Sequence, residues 1–216
     1  MDIKHQVEYY RQRAREYDRI YQKPERQSDL HELHDYLKTS FSQKSILEIA
    51  CGTGYWTQTI AQKAQSIYAT DINESMLELA KGRDYTKATM QFQCIDYRDL
   101  PAPASPYEGL FSGFLWSHIP KSDLTSFIAI MLKQVQRDAS LIFIDNQYVE
   151  GSSTPISRTD TYGNTYQKRR LQFGEQFEII KNFPSREEIE VLLHNFECEI
   201  NWRGLTYYWI LEVVKK

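Results

Sequence analysis

Gly52 and Gly54 are separated by one residue and follow an apolar run over residues 45–50. Glycine has no Cβ and tolerates positive φ, so a strand that breaks at two glycines lets the backbone come close to a ligand. The helix that follows offers N–H groups with no intrahelical partner. The stretch 45–57 therefore reads as a nucleotide-type cofactor loop. A second set of residues able to bind is the basic run Lys168-Arg169-Arg170, with Tyr148 and Arg158 in the same polar segment. On a hairpin, alternation puts Arg169 on one side and its neighbours on the other. One side can reach a pocket and grip a carboxylate or phosphate, or the run is a solvated face.

The surrounding elements follow from periodicity. Val7, Tyr10, Ala14, Tyr17 and Tyr21 recur every three or four residues, which predicts an amphipathic helix over 2–21 that ends before Pro24. A second helix covers 28–38 with Ser28 as its N-cap. Strands are expected at 45–50, 66–71, 90–95, 109–116 and 140–145, each followed or preceded by a helical pattern. The first helix after the glycines runs to about Gln65. Asn73 caps the next, whose inner face carries Met76, Leu77 and Ala80. Five strand–helix alternations argue a parallel, doubly wound α/β sheet. Residues 147–183 break the pattern. They are polar, carry a hairpin signal over 164–171 and 175–183 around Phe173-Gly174, and are too long for a plain connection, which suggests a lid or binding loop. Ser185 then caps a last helix, and 197–202 and 207–214 pair antiparallel across a turn at Gly204.

The chain has 216 residues, enough for a sizeable core, and is expected to be one domain over 1–216, with a helical cap at 1–40 and the 147–183 segment on the substrate side. A formal net charge of −3 gives no general pull toward nucleic acid or an anionic membrane. No apolar run nears the roughly 20 residues that span a bilayer. The start, Met1-Asp2-Ile3-Lys4-His5-Gln6, lacks the apolar core of a signal peptide. Cys51, Cys94 and Cys198 are odd in number and sit in apolar segments, so they read as buried thiols in a reducing, cytoplasmic setting. Aromatic content is 13%, with 15 tyrosines, which leaves room for an aromatic cavity as well as a core.

The order of elements, with five β-α repeats and a terminal antiparallel pair, resembles the class I S-adenosyl-L-methionine-dependent methyltransferase fold over nearly the whole chain. The motifs that carry the resemblance are Glu48-Ile-Ala-Cys-Gly52-Thr-Gly54, Asp71-Ile72, Asp96-Tyr97 and the run from Gly113 to Pro120 through Phe114, Trp116 and His118. Tyr9, Tyr10, Arg13, Glu16, Tyr17 and Asp18 are similar to the opening helices of small-molecule members, which close over the cofactor. The implied fold is a Rossmann-like sheet of seven strands, mostly parallel, with helices on both faces. The implied cofactor is S-adenosylmethionine, and the product S-adenosylhomocysteine.

The resemblance implies that Gly52 and Gly54 admit the methionine and ribose portions and that Glu48 holds the cationic amino group. Asp71 would accept from both ribose hydroxyls. Asp96 would accept from the adenine amine, with Ile72 and Tyr97 sandwiching the ring. Trp56 and Met76 complete the cofactor side. Tyr10, Tyr17, Phe114 or Trp116 near the sulfonium would contribute about 0.5–2 kcal/mol each. His118, just past the fourth strand, is placed to take a proton from an acceptor hydroxyl or amine, or only to shape its loop. Trp116 is expected in the pocket wall. Asp145-Asn146 forms either a polar floor or a loop start. Tyr148, Arg158 and Arg169 are the remaining acceptor-side candidates. A nicotinamide site would want a third glycine where Thr57 stands. A metal-dependent member would want a carboxylate at the end of the fourth strand, which ends in Trp-Ser-His, so no metal is expected. The expected reaction is methyl transfer to oxygen or nitrogen of a small molecule, with no nucleic-acid or membrane partner. An RNA or protein methyltransferase, or a non-catalytic cofactor-binding protein, is the alternative. These motifs encode neither the acceptor nor the oligomeric state.

Overall fold

The computed structural model describes residues 3–85, 87–171 and 174–216. Met1, Asp2 and Phe173, which entered the readings of the N-terminus and of the hairpin turn, lie outside them. The elements run α1 (Ile3–Arg13), α2 (Gln27–Ser40), β1 (Ser45–Ile49), α3 (Tyr55–Ile60), β2 (Ser66–Asp71), α4 (Glu74–Lys81), β3 (Thr89–Cys94) and β4 (Tyr107–Gly113). They continue with α5 (Leu124–Gln134), β5 (Val135–Asn146), β6 (Arg158–Thr159), β7 (Thr165–Arg170), β8 (Gln176–Ile180), α6 (Arg186–Leu193), β9 (Cys198–Gly204) and β10 (Tyr208–Lys215).

Seven strands form one sheet in the order β3-β2-β1-β4-β5-β10-β9. The first five pair parallel, and β10 pairs antiparallel with both β5 and β9. The reason lies in the two-residue period of a strand. Ile46, Phe111, Ile142, Ile144 and Ile210 point to one face and pack with Leu33 and Leu37 of α2 and Trp56 of α3. Leu47, Leu110, Leu141, Phe143 and Leu211 point to the other and pack with Phe127 and Met131 of α5 and Ile189 of α6. Each central strand is apolar on both sides because each side is roofed by helices.

The excursion is a small three-stranded antiparallel sheet, β6-β7-β8. It docks on α1 through a separate cluster of Tyr9, Phe177 and Ile179. β6 was not foreseen. Other local readings need correction. The first helix does not reach Tyr21: it changes to 3-10 geometry at Ala14–Gln22 and turns toward the sheet. α2 starts at Gln27, so Ser28 lies inside it and does not cap. Asn73 sits at the N-cap of α4, but its amide donates to Val7 O at 3.3 Å and ties α1 to the sheet instead. Ser185 does cap α6, in a capping box with Glu188. Cys51 is buried, but Cys94 is exposed because it ends the edge strand β3.

Candidate active site

The carboxyl ends of β1, β2, β3 and β4 converge on a cleft of about 820 Å³. This is where ligands bind in open parallel sheets, since helix and loop backbone there is not spent on the ladder. After β1 the chain turns through Gly52 (φ 57°) and Gly54 (φ 79°), both in the left-handed region. The space where a Cβ of Gly52 would sit is open toward the cleft. At Gly54 a Cβ would strike Tyr85 Oη and Ala80, so this glycine is required by packing under α4 and does not face the cleft. Two non-glycine residues, Ala50 (φ 56°) and Phe114 (φ 62°), also take the left-handed backbone, at the ends of β1 and β4 and in the cleft wall. Strain of this kind costs on the order of 1–3 kcal/mol per residue and clusters at ligand sites.

Asp71 ends β2 beneath the glycine turn. Its Oδ2 accepts from Gly52 N–H at 2.9 Å and its Oδ1 from Asn73 N–H at 2.8 Å. Burial pushes its carboxyl up to about 6. Ile72, Met76 and Tyr97 line the cleft, Ile72 at its exposed rim and Tyr97 edge-on to Phe127. Asp96 lines it too, but its carboxylate is already engaged by the backbone N–H and guanidinium of Arg98. Glu48 lies just behind the glycine loop, in a small adjoining cavity that also touches Trp56 and Tyr17. It is 1% exposed and its Oε2 has no hydrogen-bond partner. Burial pushes its carboxyl up to about 8.

The N-terminal segment closes the cleft from above. Thr53 Oγ1 donates to Asp18 Oδ1 at 2.5 Å, and Arg83 pairs with Asp18 while its Nε donates to Thr53 O. Tyr10 and Tyr17 enter the wall. His118 faces Tyr10. Its Nδ1 lies 2.6 Å from Ile180 O, and a carbonyl can only accept, so Nδ1 carries the proton. The lone pair is then on Nε2, 2.6 Å from Tyr10 Oη, which donates to it. Burial, with the nearby Lys181 ammonium, pushes the imidazole down to about 3, so it stays neutral.

A second chamber of about 740 Å³ lies beyond, between the N-terminal segment and the excursion. Tyr10, Tyr17, Phe114 and His118 line both spaces and form the boundary between them. Asn146, Gln167 and Arg169 are in the chamber wall, with Arg13, Arg26 and Lys181. Lys181 is buried and donates to Asp145 Oδ1 at 2.8 Å and to Ser117 Oγ at 2.6 Å. An ammonium has three donors, which leaves one for the chamber. Asp145 is the floor beneath this lysine: it is wholly buried and also accepts from Ser117 N–H and Asn146 N–H. Burial opposes its ionisation, but the Lys181 ammonium and the Ser117 N–H hold its carboxyl below the usual range.

Three acceptor-side candidates fall elsewhere. Trp116 is 2% exposed and packs edge-on to Phe127, Phe143 and Trp209, because the chain turns at the left-handed Phe114 and sends the indole into the core. Tyr148 is exposed and packs on Phe183. Arg158 is on the outer face of the small sheet, paired with Glu178 and stacked on Tyr166. Trp56 is core, and its Nε1 donates to Tyr21 Oη at 3.0 Å. Arg26 and Lys181 escaped the sequence reading. Lys181 sits alone in an apolar strand end, 36 residues from its partner, which was its one available signal. Among the described residues no group of three or more His, Cys, Asp or Glu side chains could hold a metal ion. Among them, too, no helix is long and apolar enough to cross a membrane.

A seven-stranded sheet in this order, with a glycine turn at its carboxyl edge and a reversed terminal pair, defines the architecture of the class I methyltransferases. Residues 46–138 match the family model described as methyltransferase domain. The chain is 34% identical over 119 residues to malonyl-[acyl-carrier protein] O-methyltransferase of Priestia megaterium, which covers 52% of this chain and 41% of that one. It is 24% identical over 120 residues to phosphoethanolamine N-methyltransferase 1 of Zea mays, covering 55% of this chain and 24% of that one. Among solved structures, the DhpI–SAH complex superposes with a TM-score of 0.80 at 23% identity, over 99% of this chain and 96% of that one. Residues 46–138 therefore match a methyltransferase domain, and the chain as a whole has the fold of S-adenosylmethionine-dependent methyltransferases. It spans between 16% and 53% of the length of the curated relatives it matches.

Proposed function

We propose that this chain binds S-adenosylmethionine in the first cleft and transfers its methyl group to oxygen or nitrogen of a small molecule held in the second chamber. The observation that carries this reading is the boundary itself: Tyr10, Tyr17, Phe114 and His118 belong to both spaces, so ligands held in the two would meet there. The residues suit the cofactor. A buried carboxyl with an orphaned oxygen, Glu48, waits behind the glycine loop for a cationic group. The open space beside Gly52 and the Asp71 carboxylate suit a ribose, and Ile72 and Tyr97 suit a flat ring. Aromatic faces at the boundary suit a cation. DhpI, similar in fold, has been solved with SAH and with SAM and HEP.

When bound, S-adenosylmethionine supplies an electrophilic methyl group on a sulfonium. The chain supplies position and exclusion of water. α1 and the excursion roof the chamber, which favours a small acceptor over an RNA or protein chain. Of the two roles its position allows, proton acceptor or loop-shaping residue, His118 takes the second in this reading, because its lone pair is committed to Tyr10. Isothermal titration with S-adenosylhomocysteine tests the reading: saturable one-to-one binding is expected, and no binding at millimolar concentration would overturn it.

A further inference from the structure

The second chamber carries an unbalanced charge. Five of its wall residues are cations, Arg13, Lys23, Arg26, Arg169 and Lys181, and among the described residues none of its wall is a carboxylate. Two are accounted for: Lys181 pairs with Asp145 at 2.8 Å, and Lys23 lies 3.9 Å from Glu25. Arg13, Arg26 and Arg169 have only neutral partners among the described residues. Arg13 donates to Tyr9 Oη and lies over the Tyr9 and Tyr17 rings. Arg26 faces the Tyr207 and Tyr208 rings and donates to Ser152 Oγ at 3.1 Å. Arg169 donates to Thr154 Oγ1 at 2.8 Å and Gln167 Oε1 at 2.6 Å. The Nε atoms of Arg26 and Arg169 are both buried and donate to nothing. A guanidinium taken out of water without a counter-ion is costly, and its planar fork matches an oxyanion.

A second observation is independent of charge. Among the described residues the chamber wall holds no carboxylate and one imidazole, His118, whose Nε2 already accepts from Tyr10. A hydroxyl or ammonium acceptor must lose a proton on methylation, whereas an acid oxygen need not. We propose that the second chamber binds a small oxyanion, of carboxylate or phosphate type, between Arg26 and Arg169, and that the methyl is placed on an oxygen of that acid to give a methyl ester. This rests on the cofactor reading above. A lone pair of the acid oxygen forms the new O–C bond as the C–S bond breaks. The electron pair of that bond goes to sulfur, which loses its positive charge as the acid loses one negative charge. No proton moves and no further reactant is needed.

The test starts from wild-type protein loaded with S-adenosylhomocysteine and titrates it with acetate, inorganic phosphate and methylphosphonate, with acetamide as the neutral control. Saturable binding of the planar or of the tetrahedral anion is expected, and it identifies the type. Arg169→Met should weaken that binding about 10- to 100-fold, as expected for losing a charge-assisted hydrogen bond. Its affinity for S-adenosylhomocysteine should stay unchanged, which also shows that the variant is folded; Arg26→Met is the second variant. Incubation with S-adenosylmethionine carrying an isotopically labelled methyl, and matched small acids, alcohols and amines, should put the label into an ester. If S-adenosylhomocysteine binds but no anion does at tens of millimolar, or if label enters only alcohol or amine, the inference is overturned. If S-adenosylhomocysteine itself does not bind, the cofactor reading falls and takes this inference with it.

Discussion

Tyr10 Oη donates to His118 Nε2 across 2.6 Å, joining the first helix to the end of the fourth strand at the boundary of two cavities. The bond fixes the imidazole from one side while Ile180 O fixes it from the other. Tyr10→Phe leaves Nε2 buried without a donor. It should cost about 1–3 kcal/mol of stability, read as a lower urea midpoint with an unchanged slope. An unchanged midpoint would show that the bond does not form in solution.

Glu48 should make cofactor binding proton-linked. Burial holds its carboxyl at about 8, above its ordinary 4.5. A group with a raised folded pKa contributes stability that is whole below the unfolded value and is lost as pH rises through the folded one. For Glu48 the window is therefore 4.5 to about 8, and Glu48→Gln should flatten the stability profile there. At about pH 7 the carboxyl is mostly protonated, and pairing with an ammonium would expel that proton. Calorimetry of S-adenosylhomocysteine in buffers of different ionisation enthalpy should show up to one proton released by wild type. Equal release by the glutamine variant would refute the assignment.

Asp71 holds the glycine turn through Gly52 N–H and faces the cleft. Asp71→Asn keeps the shape and removes the charge. It should weaken S-adenosylhomocysteine binding about 10- to 100-fold in titration. Full affinity in that variant would deny it a part in binding the ribose.

The Asp145–Lys181 pair is wholly buried, so removing one member strands the other. Lys181→Met should destabilise by about 3–5 kcal/mol, while Lys181→Met with Asp145→Leu should regain most of it. Denaturant unfolding of the two variants distinguishes a structural pair, which the double change rescues, from one whose loss the double change does not repair.

Acid should unfold the chain partly through His118. Its folded pKa is depressed to about 3 from 6.5, so the stability it contributes is present above 6.5 and is lost as pH falls toward 3. A His118→Asn variant should lose less stability than wild type across that interval in thermal melts; parallel curves would contradict the buried neutral imidazole.

The sheet was legible because strands announce themselves by period. Residues 66–71 were placed to the residue, since a short run rich in apolar and β-branched residues, Ile67 to Thr70, ends at the acid Asp71. The glycine turn was legible because only special backbone needs such residues. The break in the first helix was not, because Ala14 to Gln22 keeps the same apolar spacing while the chain tightens to reach the sheet. Trp116 misled for a related reason: its place at a strand end suggested the pocket, but the left-handed Phe114 turns it inward. Arg26 and Lys181 were hidden because a cation in a pocket wall and one on a solvated face look alike until distant segments are brought together.

Tyr9 of the first helix is held by Phe177 and Ile179 of the excursion. The helix that lines the first cleft and the small sheet that walls the second chamber are therefore joined by one apolar contact. Loosening that one contact should uncover both spaces together.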